Sequence, residues 1–359
     1  MTVATIGVHI VDILARPVSY IPEGQDTALV DQIRLTAAGS AAGTAVDLVK
    51  LGNEVVSMGA IGDDELGDFL VAVMAKRGVD VSLLTRKAGE QTAASILPIR
   101  PDGGRPSFHV PGANLGVTPA DLDEARLRGV RAVHLGGMDV TFGLGDPAFF
   151  ALLDSLRAAG AIVTMDLLSE MPDLLGMARA FLPHVDYVLP NDSQALLMAA
   201  GLTADSGSDS GTDSGSSSDI GSGSGSGSDI GSGSSVGDTS APEGDSPPSA
   251  SSPSVAEVSA AARALLGEGP RGVLVTMGAE GSLVVTEAGI EQVPALKVEV
   301  SDTTGCGDAY CAGFITGLLH GQDVVGAARW GTAAAAQVAT GLGSDAGLTD
   351  LESTLALLA

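Results

Sequence analysis

Asp308 closes the run Asp302-Thr303-Thr304-Gly305-Cys306-Gly307-Asp308, and its neighbours are the residue types that cradle an anion. Gly305 and Gly307 lack a Cβ, so the backbone there turns sharply and brings its N–H groups close to a ligand. Behind them Ala309, Ala312, Phe314, Ile315, Leu318 and Leu319 recur at helical spacing. That pattern puts the glycines at a helix start, where orphan N–H groups and the macrodipole favour negative charge. Asp308 then has two readings. It is a plain N-terminal helix charge, worth about 0.3–1 kcal/mol, or it takes a proton from a hydroxyl that attacks a phosphoryl group held in the cradle.

Other segments add weaker chemistry. Val55 to Gly67 places a glycine-rich acidic loop between a strand and a helix, a use of Gly and Asp that turns and caps share. Ala37 to Ala45 is a second helix entry made of small residues, which lets a ligand hydroxyl meet the backbone or lets helix and strand pack closely. Asp12, read near the end of the first strand, offers two acceptor oxygens to sugar hydroxyls or serves as a turn. Cys306 and Cys311 lie too close in one helical region to suit a disulfide and are too few for a zinc site. The five histidines show no ligand spacing, and Trp330 reads as helix packing.

The elements that position these residues alternate short apolar runs with amphipathic stretches, the pattern of a mostly parallel sheet with helices on both faces. Core strands are expected at Val3 to Val8, Val55 to Ala60, Ala132 to Leu135, Ile162 to Asp166, Tyr187 to Leu189, Val273 to Thr276 and Ser282 to Thr286. Helices are expected at Ala41 to Leu51, Leu66 to Arg77, Pro147 to Ala159 and Val255 to Leu266. Two further β patches, at about residues 12–35 and 92–112, stand apart from the alternation. The second turns through Pro101-Asp102-Gly103-Gly104, a hairpin signal, and together they predict a small lid sheet.

Residues 203–253 are near-repeats of Ser, Gly and Asp with eight acidic and no basic side chains, a composition that cannot bury enough surface to fold. It reads as an insert into one domain formed by residues 1–202 and 254–359, either a tolerated loop or a tether. The formal net charge of −26 argues against nucleic acid and anionic membranes, whose binding needs clustered Lys and Arg. No apolar run spans a bilayer, the first residues lack a secretory pattern, and the cysteine usage fits a reducing compartment. A cytoplasmic protein is expected.

Taken together, these segments resemble the ribokinase or PfkB-type carbohydrate kinase family over nearly the whole chain outside the insert. Gly59 to Gly67 and Asp302 to Gly317 carry the resemblance. It implies a ribokinase-like α/β three-layer sandwich with a β-sheet lid, and ATP-dependent phosphorylation of a sugar hydroxyl. By that resemblance Asp308 is the general base, and Gly305, Cys306 and Gly307 form the anion hole. Asp12, Gly39 and Gly43 fall at sugar positions. Asn191, Thr276, Gly278, Gly281, Thr332, Gly341 and Gly343 fall along ATP, and Asp302 and Thr304 where potassium is ringed. Asn191 to Gln194 aligns with an Asn-x-x-Glu motif that organises magnesium, with Gln194 unable to supply the charge. Cys306 replaces a common Ala, its thiol either acidified by the helix terminus or an inert filler. Gly43 replaces a sugar-contacting Asn, and Asp166-Leu-Leu-Ser lacks the Arg of members that take acidic sugars.

The expected acceptor is a small unphosphorylated sugar such as ribose or a ketohexose. A nucleoside is the alternative, with Tyr20, Phe108 and His109 as the candidate wall for a base. A phosphosugar would need inward-pointing members of the set Arg16, Arg34, Arg100 and Arg105. A catalytically weakened sugar-binding protein is the reading from another class. The lid edge and its apolar face predict a homodimer that pairs lid to lid.

Overall fold

The computed structural model describes residues 2–207, 253–344 and 346–359. Its strands are β1 (Thr2–Gly7), β2 (Ile10–Arg16), β3 (Gln32–Ala38), β4 (Glu54–Gly62), β5 (Asp80–Lys87), β6 (Ala94–Pro98), β7 (Phe108–Val110), β8 (Ala132–Gly136), β9 (Ile162–Met165), β10 (Tyr187–Val188), β11 (Gly272–Thr276), β12 (Ser282–Thr286) and β13 (Gly289–Val293). The helices are α1 (Ser40–Lys50), α2 (Glu65–Lys76), α3 (Glu124–Leu127), α4 (Pro147–Ala158), α5 (Pro172–Ala178), α6 (Asp192–Gly207), α7 (Val255–Leu266), α8 (Cys306–Leu319), α9 (Val324–Ala339) and α10 (Leu351–Ala356).

Nine strands form the main sheet in the order β13-β12-β11-β10-β9-β8-β1-β4-β5. All its pairings are parallel except those that β12 and β13 make. Alternation within β1 divides the core: Val3 packs with α1, α2, α8 and α9, while Ala4 and Ile6 pack with α4 to α7. Each large apolar side chain buried in these layers contributes about 1.5–3 kcal/mol. Because β8 and β4 flank β1 on opposite sides, the chain order reverses at β1, and a crevice opens at the carboxyl ends of the strands there.

The second sheet has the order β3-β2-β6-β7, and its register sorts the side chains into two kinds of row. Thr36, Asp12, Ser95 and His109 are cross-strand neighbours, as are Leu35, Ile13, Ile96 and Phe108 one residue along. Period-two alternation sends these rows to opposite faces. Asp12 and Ser95 face the crevice, whereas Leu35, Ile96 and Phe108 are exposed. The lid expected from two β patches is therefore present, with Asp12 on its second strand and not at the end of β1.

Two polar clips hold lid and core together. His9, between β1 and β2, has its backbone N–H and C=O both bonded to the Asn114 amide, and its ring reaches Gly7 O and Ser57 Oγ. Asp64 caps α2 by accepting from Gly67 N and also accepts from the N–H and hydroxyl of Thr92, just before β6. The acidic turn after β4 thus serves the fold.

Residues 203–207 complete α6, and residues 208–252 lie outside the described residues. The insert expected at 203–253 falls mostly there; α6 and α7 on either side of it pack together. Among the described residues, no helix is long and apolar enough to cross a membrane. We expect Asp64→Ala to lower stability by roughly 1–2 kcal/mol, read as a lower denaturant midpoint, because a helix cap is lost with the lid clip.

Candidate active site

A cavity of about 520 Å³ occupies the crevice between the main sheet and the lid. Asp308 stands on its floor, in the first turn of α8. Gly305 enters α8 with φ 80°, and no side chain caps that terminus. A Cβ on Gly305 would lie 2.5 Å from Ser344 Cα, so the turn requires glycine twice over. Gly305, Gly307 and Asp308 line one wall together, beneath Asp12 and Ser95 of the lid. A phosphoryl-sized anion against this wall meets the helix terminus, and Asp308 lies within the same turn.

Two features shape Asp308. Gly43 of α1 packs against it, and a Cβ there would come within 2.3 Å of Asp308 Oδ2. The absence of a side chain at Gly43 is thus what makes room for the carboxylate, and Gly43 lies beneath Asp308 without lining the cavity. Burial, reinforced by the charges of Asp166, Asp47 and Asp12, pushes the Asp308 pKa well above the usual carboxylate range. A carboxyl group so placed holds a proton more readily than an exposed one, which suits a group that accepts a proton during a reaction.

Asp12 is buried and its pKa rises to about 6, chiefly through desolvation, with Ser95 and Arg105 opposing the rise. Gly39 lines the cavity at the entry to α1. Burial first and the Asp302 charge next push the Cys306 thiol up to about 12. That direction runs against an acidified thiol at Cys306, and its Sγ lies 3.5 Å from Ala335 O.

Asn191 and Gln194 form a reciprocal cap at the start of α6: Gln194 N donates to Asn191 Oδ1, and Asn191 N donates to Gln194 Oε1. Gln194 Nε2 donates to Ser169 O. The buried glutamine therefore spends its oxygen on the backbone and offers no charge to magnesium. Sequence reasoning missed Glu170, whose carboxylate accepts from Asn191 Nδ2 at 3.2 Å and supplies a negative charge at this place. Asp192, next to Asn191, accepts from Ser193 N beside it.

Asp302 and Thr304, expected to ring a monovalent cation, are held in another way. Asp302 Oδ1 accepts from Thr304 N and Oγ1 and from Arg105 Nη1, while Oδ2 accepts from Gly343 N. Arg105 also donates to the Thr303 and Thr304 hydroxyls. The carboxylate is engaged on both oxygens and a guanidinium already stands beside it, so these side chains do not fit a potassium ion as read from sequence. The contact joins residues 197 positions apart, and no local pattern announces it.

Of the remaining nucleotide candidates, Asn191 and Thr276 line the cavity. Thr332 bonds its hydroxyl to Ala328 O within α9. Gly278 and Gly281 turn the chain between β11 and β12, and Gly341 and Gly343 lie in the loop after α9, all four outside the cavity wall.

A second cavity of about 460 Å³ adjoins the first and shares Ile10, Ser95 and Leu168 with it. Its wall is mostly apolar: Val8, Leu115, Val140, Phe142, Met171 and Leu174, with His109 and Asn114 among the polar members. Of the aromatic wall expected from Tyr20, Phe108 and His109, His109 alone stands here; Tyr20 and Phe108 are exposed. Phe142, in a short turn after β8, is the aromatic that sequence reading passed over.

A model of pfkB family carbohydrate kinases matches residues 3–207 and 242–351. Among curated proteins, a deoxyribokinase of Salmonella typhi is 21% identical over 352 residues, covering 98% of this chain and 97% of its own. An aminoimidazole riboside kinase of Salmonella typhimurium is 26% identical over 319 residues, covering 83% of this chain and 77% of its own. Among solved structures, Arabidopsis thaliana ribokinase complexed with ribose and ATP superposes with a TM-score of 0.72 at 19% identity. That match covers 99% of this chain and 98% of the other.

Two predictions come from the environment of Asp308. Gly43→Ala, by displacing the carboxylate, should lower kcat on the order of 100-fold in steady-state assays while the far-ultraviolet spectrum stays native. For pH, the raised folded value means that the native protein holds this proton more tightly than the unfolded chain. Ionising Asp308 thus costs stability as pH rises above the ordinary value of 3.8. Asp308→Asn should therefore be inactive yet melt at a higher temperature at neutral pH, with the difference fading as pH approaches the acid range.

Proposed function

The chain belongs to the pfkB family of carbohydrate kinases, and we propose that it transfers the γ-phosphoryl group of ATP to a hydroxyl of an unphosphorylated sugar. The observation that carries this reading is the Asp308 carboxylate at the cavity floor, one turn from an uncapped helix terminus and beneath the polar row of the lid. In the reaction, the acceptor hydroxyl passes its proton to Asp308 as its oxygen attacks the γ-phosphorus, and ADP leaves. The N–H groups of Gly305 and Gly307 face the charge on the transferring group, with Cys306, whose N–H is bonded to Thr303 O, between them. Asp12 and the Gly39 turn hold the acceptor's other hydroxyls under the lid. Asn191 and Thr276 lie along the phosphates, with Thr332, Gly341 and Gly343 toward the adenine. Magnesium would neutralise charge on the phosphates and be held mostly by them, with Glu170, bonded to Asn191, as a candidate carboxylate for that ion.

Electrostatics select the acceptor. Among the described residues, Asp12, Asp166 and Asp308 line the cavity against one lining cation, Arg105, which is already paired with Asp302. A second phosphate on the acceptor would meet three carboxylates, so a free sugar of ribose or ketohexose size fits better than a sugar phosphate. The adjoining apolar cavity favours a second reading, a ribonucleoside-like acceptor whose base reaches Phe142 and Met171.

The test is ADP release with ATP and magnesium over free pentoses, ketohexoses, ribonucleosides and sugar phosphates, with Asp308→Ala alongside. Turnover on one unphosphorylated acceptor that is lost in the variant supports the proposal. Turnover confined to sugar phosphates, or retained in the variant, refutes it. The exposed row Leu35, Ile96 and Phe108 is also proposed to be covered by a second copy of this chain, lid against lid. Sedimentation should show a dimer at micromolar concentration, and Ile96→Lys should convert it to a monomer.

A further inference from the structure

Beside Asp308 lies a group of side chains of which the kinase reading uses only the charge of Asp166. His134 on β8, Asp166 after β9 and Cys311 on α8 place their donor atoms within 4.8 Å of one another, and all three are buried. Asp166 Oδ2 lies 3.7 Å from His134 Nε2 and 3.9 Å from Cys311 Sγ. His134 Nε2, fully buried, has no hydrogen-bond partner among the described residues. Leaving such an atom unsatisfied costs about 1–3 kcal/mol, so something at this position that accepts its lone pair would be favoured.

We infer that His134, Asp166 and Cys311 form a binding site for a single thiophilic divalent cation, with Zn²⁺ as the ion of matching chemistry. Four observations agree. The donor set of imidazole, carboxylate and thiolate is one that zinc takes and magnesium does not. Donors on a tetrahedral zinc lie about 3.3–3.7 Å apart, given bonds of roughly 2.0–2.3 Å, so the two pairs that include Asp166 already stand near that spacing, and His134 and Cys311, within 4.8 Å of each other, draw together on the ion. The orienting contacts are in place: His134 Nδ1 bonds Thr164 Oγ1 at 2.9 Å, and Asp166 Oδ1 accepts from Gly137 N at 2.9 Å. Finally, Asp166 and Cys311 line the cavity, which supplies an entry path and a fourth position for water. On coordination the Cys311 proton passes to solvent. Because Asp308 lines the same cavity, the bound ion stands where an acceptor approaches, and the site is inhibitory. That consequence rests on the kinase reading; the binding itself does not.

The binding test uses the full chain and no turnover. Calorimetric titration with Zn²⁺ in a non-chelating buffer should give one ion per chain, and Co²⁺ should produce the thiolate-to-metal charge-transfer band of a cysteine ligand. Cys311→Ala should abolish that band and weaken Zn²⁺ binding at least about tenfold, while Cys306→Ala keeps the band. His134→Gln should weaken binding similarly. Thermal unfolding is recorded for each variant, and if His134→Gln fails to fold, Cys311→Ala decides. No stoichiometric binding, a cobalt spectrum without the band, or unchanged affinity in Cys311→Ala would overturn the site. For the inhibitory role, Zn²⁺ should suppress ADP release from the native chain and a chelator restore it, with Cys311→Ala resistant. Equal suppression in both would overturn that role. An absence of any turnover would bear on the kinase reading and leave the binding result intact.

Discussion

The structure turns on one electrostatic constraint: a carboxylate must be held beside a wall that attracts anions while other carboxylates surround it. Asp308 meets Asp166, Asp47 and Asp12 across a partly dehydrated cavity floor, and the cost appears as its raised pKa. The compensations are visible in the packing. Gly43 gives up its side chain so that α1 and α8 can close over the carboxylate. Gly305 takes the left-handed conformation that lets α8 begin without a capping side chain. The fold spends stability on this arrangement, as active sites do when a titratable group is tuned by its neighbours.

Around that constraint the two sheets divide the labour. The parallel sheet brings the ends of β9, β10 and β11 to one crevice, so residues far apart in sequence share a wall. The lid's register makes one face polar over the crevice and leaves the other apolar and exposed. Arg105 then links the lid to the loop that precedes the anion wall, through Asp302, Thr303 and Thr304. Lid position and the shape of the α8 entry are thereby mechanically joined, a coupling that suits an enzyme that must exclude water before transfer.

Much of this was legible in the chain because it is locally encoded. The run from Asp302 to Tyr310 carries its glycines, its carboxylate and its helix together, and the lid patches announce themselves by alternation and a Pro-Asp-Gly-Gly turn. Strand β5, half polar at the sheet edge, and the short β13 escaped because edge strands lack the continuous apolar run of buried ones. The details that spacing does not carry have one physical origin. Gln194 looked like a defective magnesium residue, yet its oxygen serves Asn191; Asp302 and Thr304 looked like cation ligands, yet a lid arginine holds them. Glu170, Phe142 and the group around His134 meet their partners only after folding, so spacing carries no trace of them.

The most direct test of the central claim is a crystal structure of the chain with a non-hydrolysable ATP analogue and the acceptor identified by turnover. The account predicts the reacting hydroxyl within hydrogen-bond distance of an Asp308 oxygen, in line with the γ-phosphorus, and the γ-phosphate against the N–H groups of Gly305 to Gly307. An acceptor bound away from Asp308, or a γ-phosphate directed away from the α8 terminus, would contradict it.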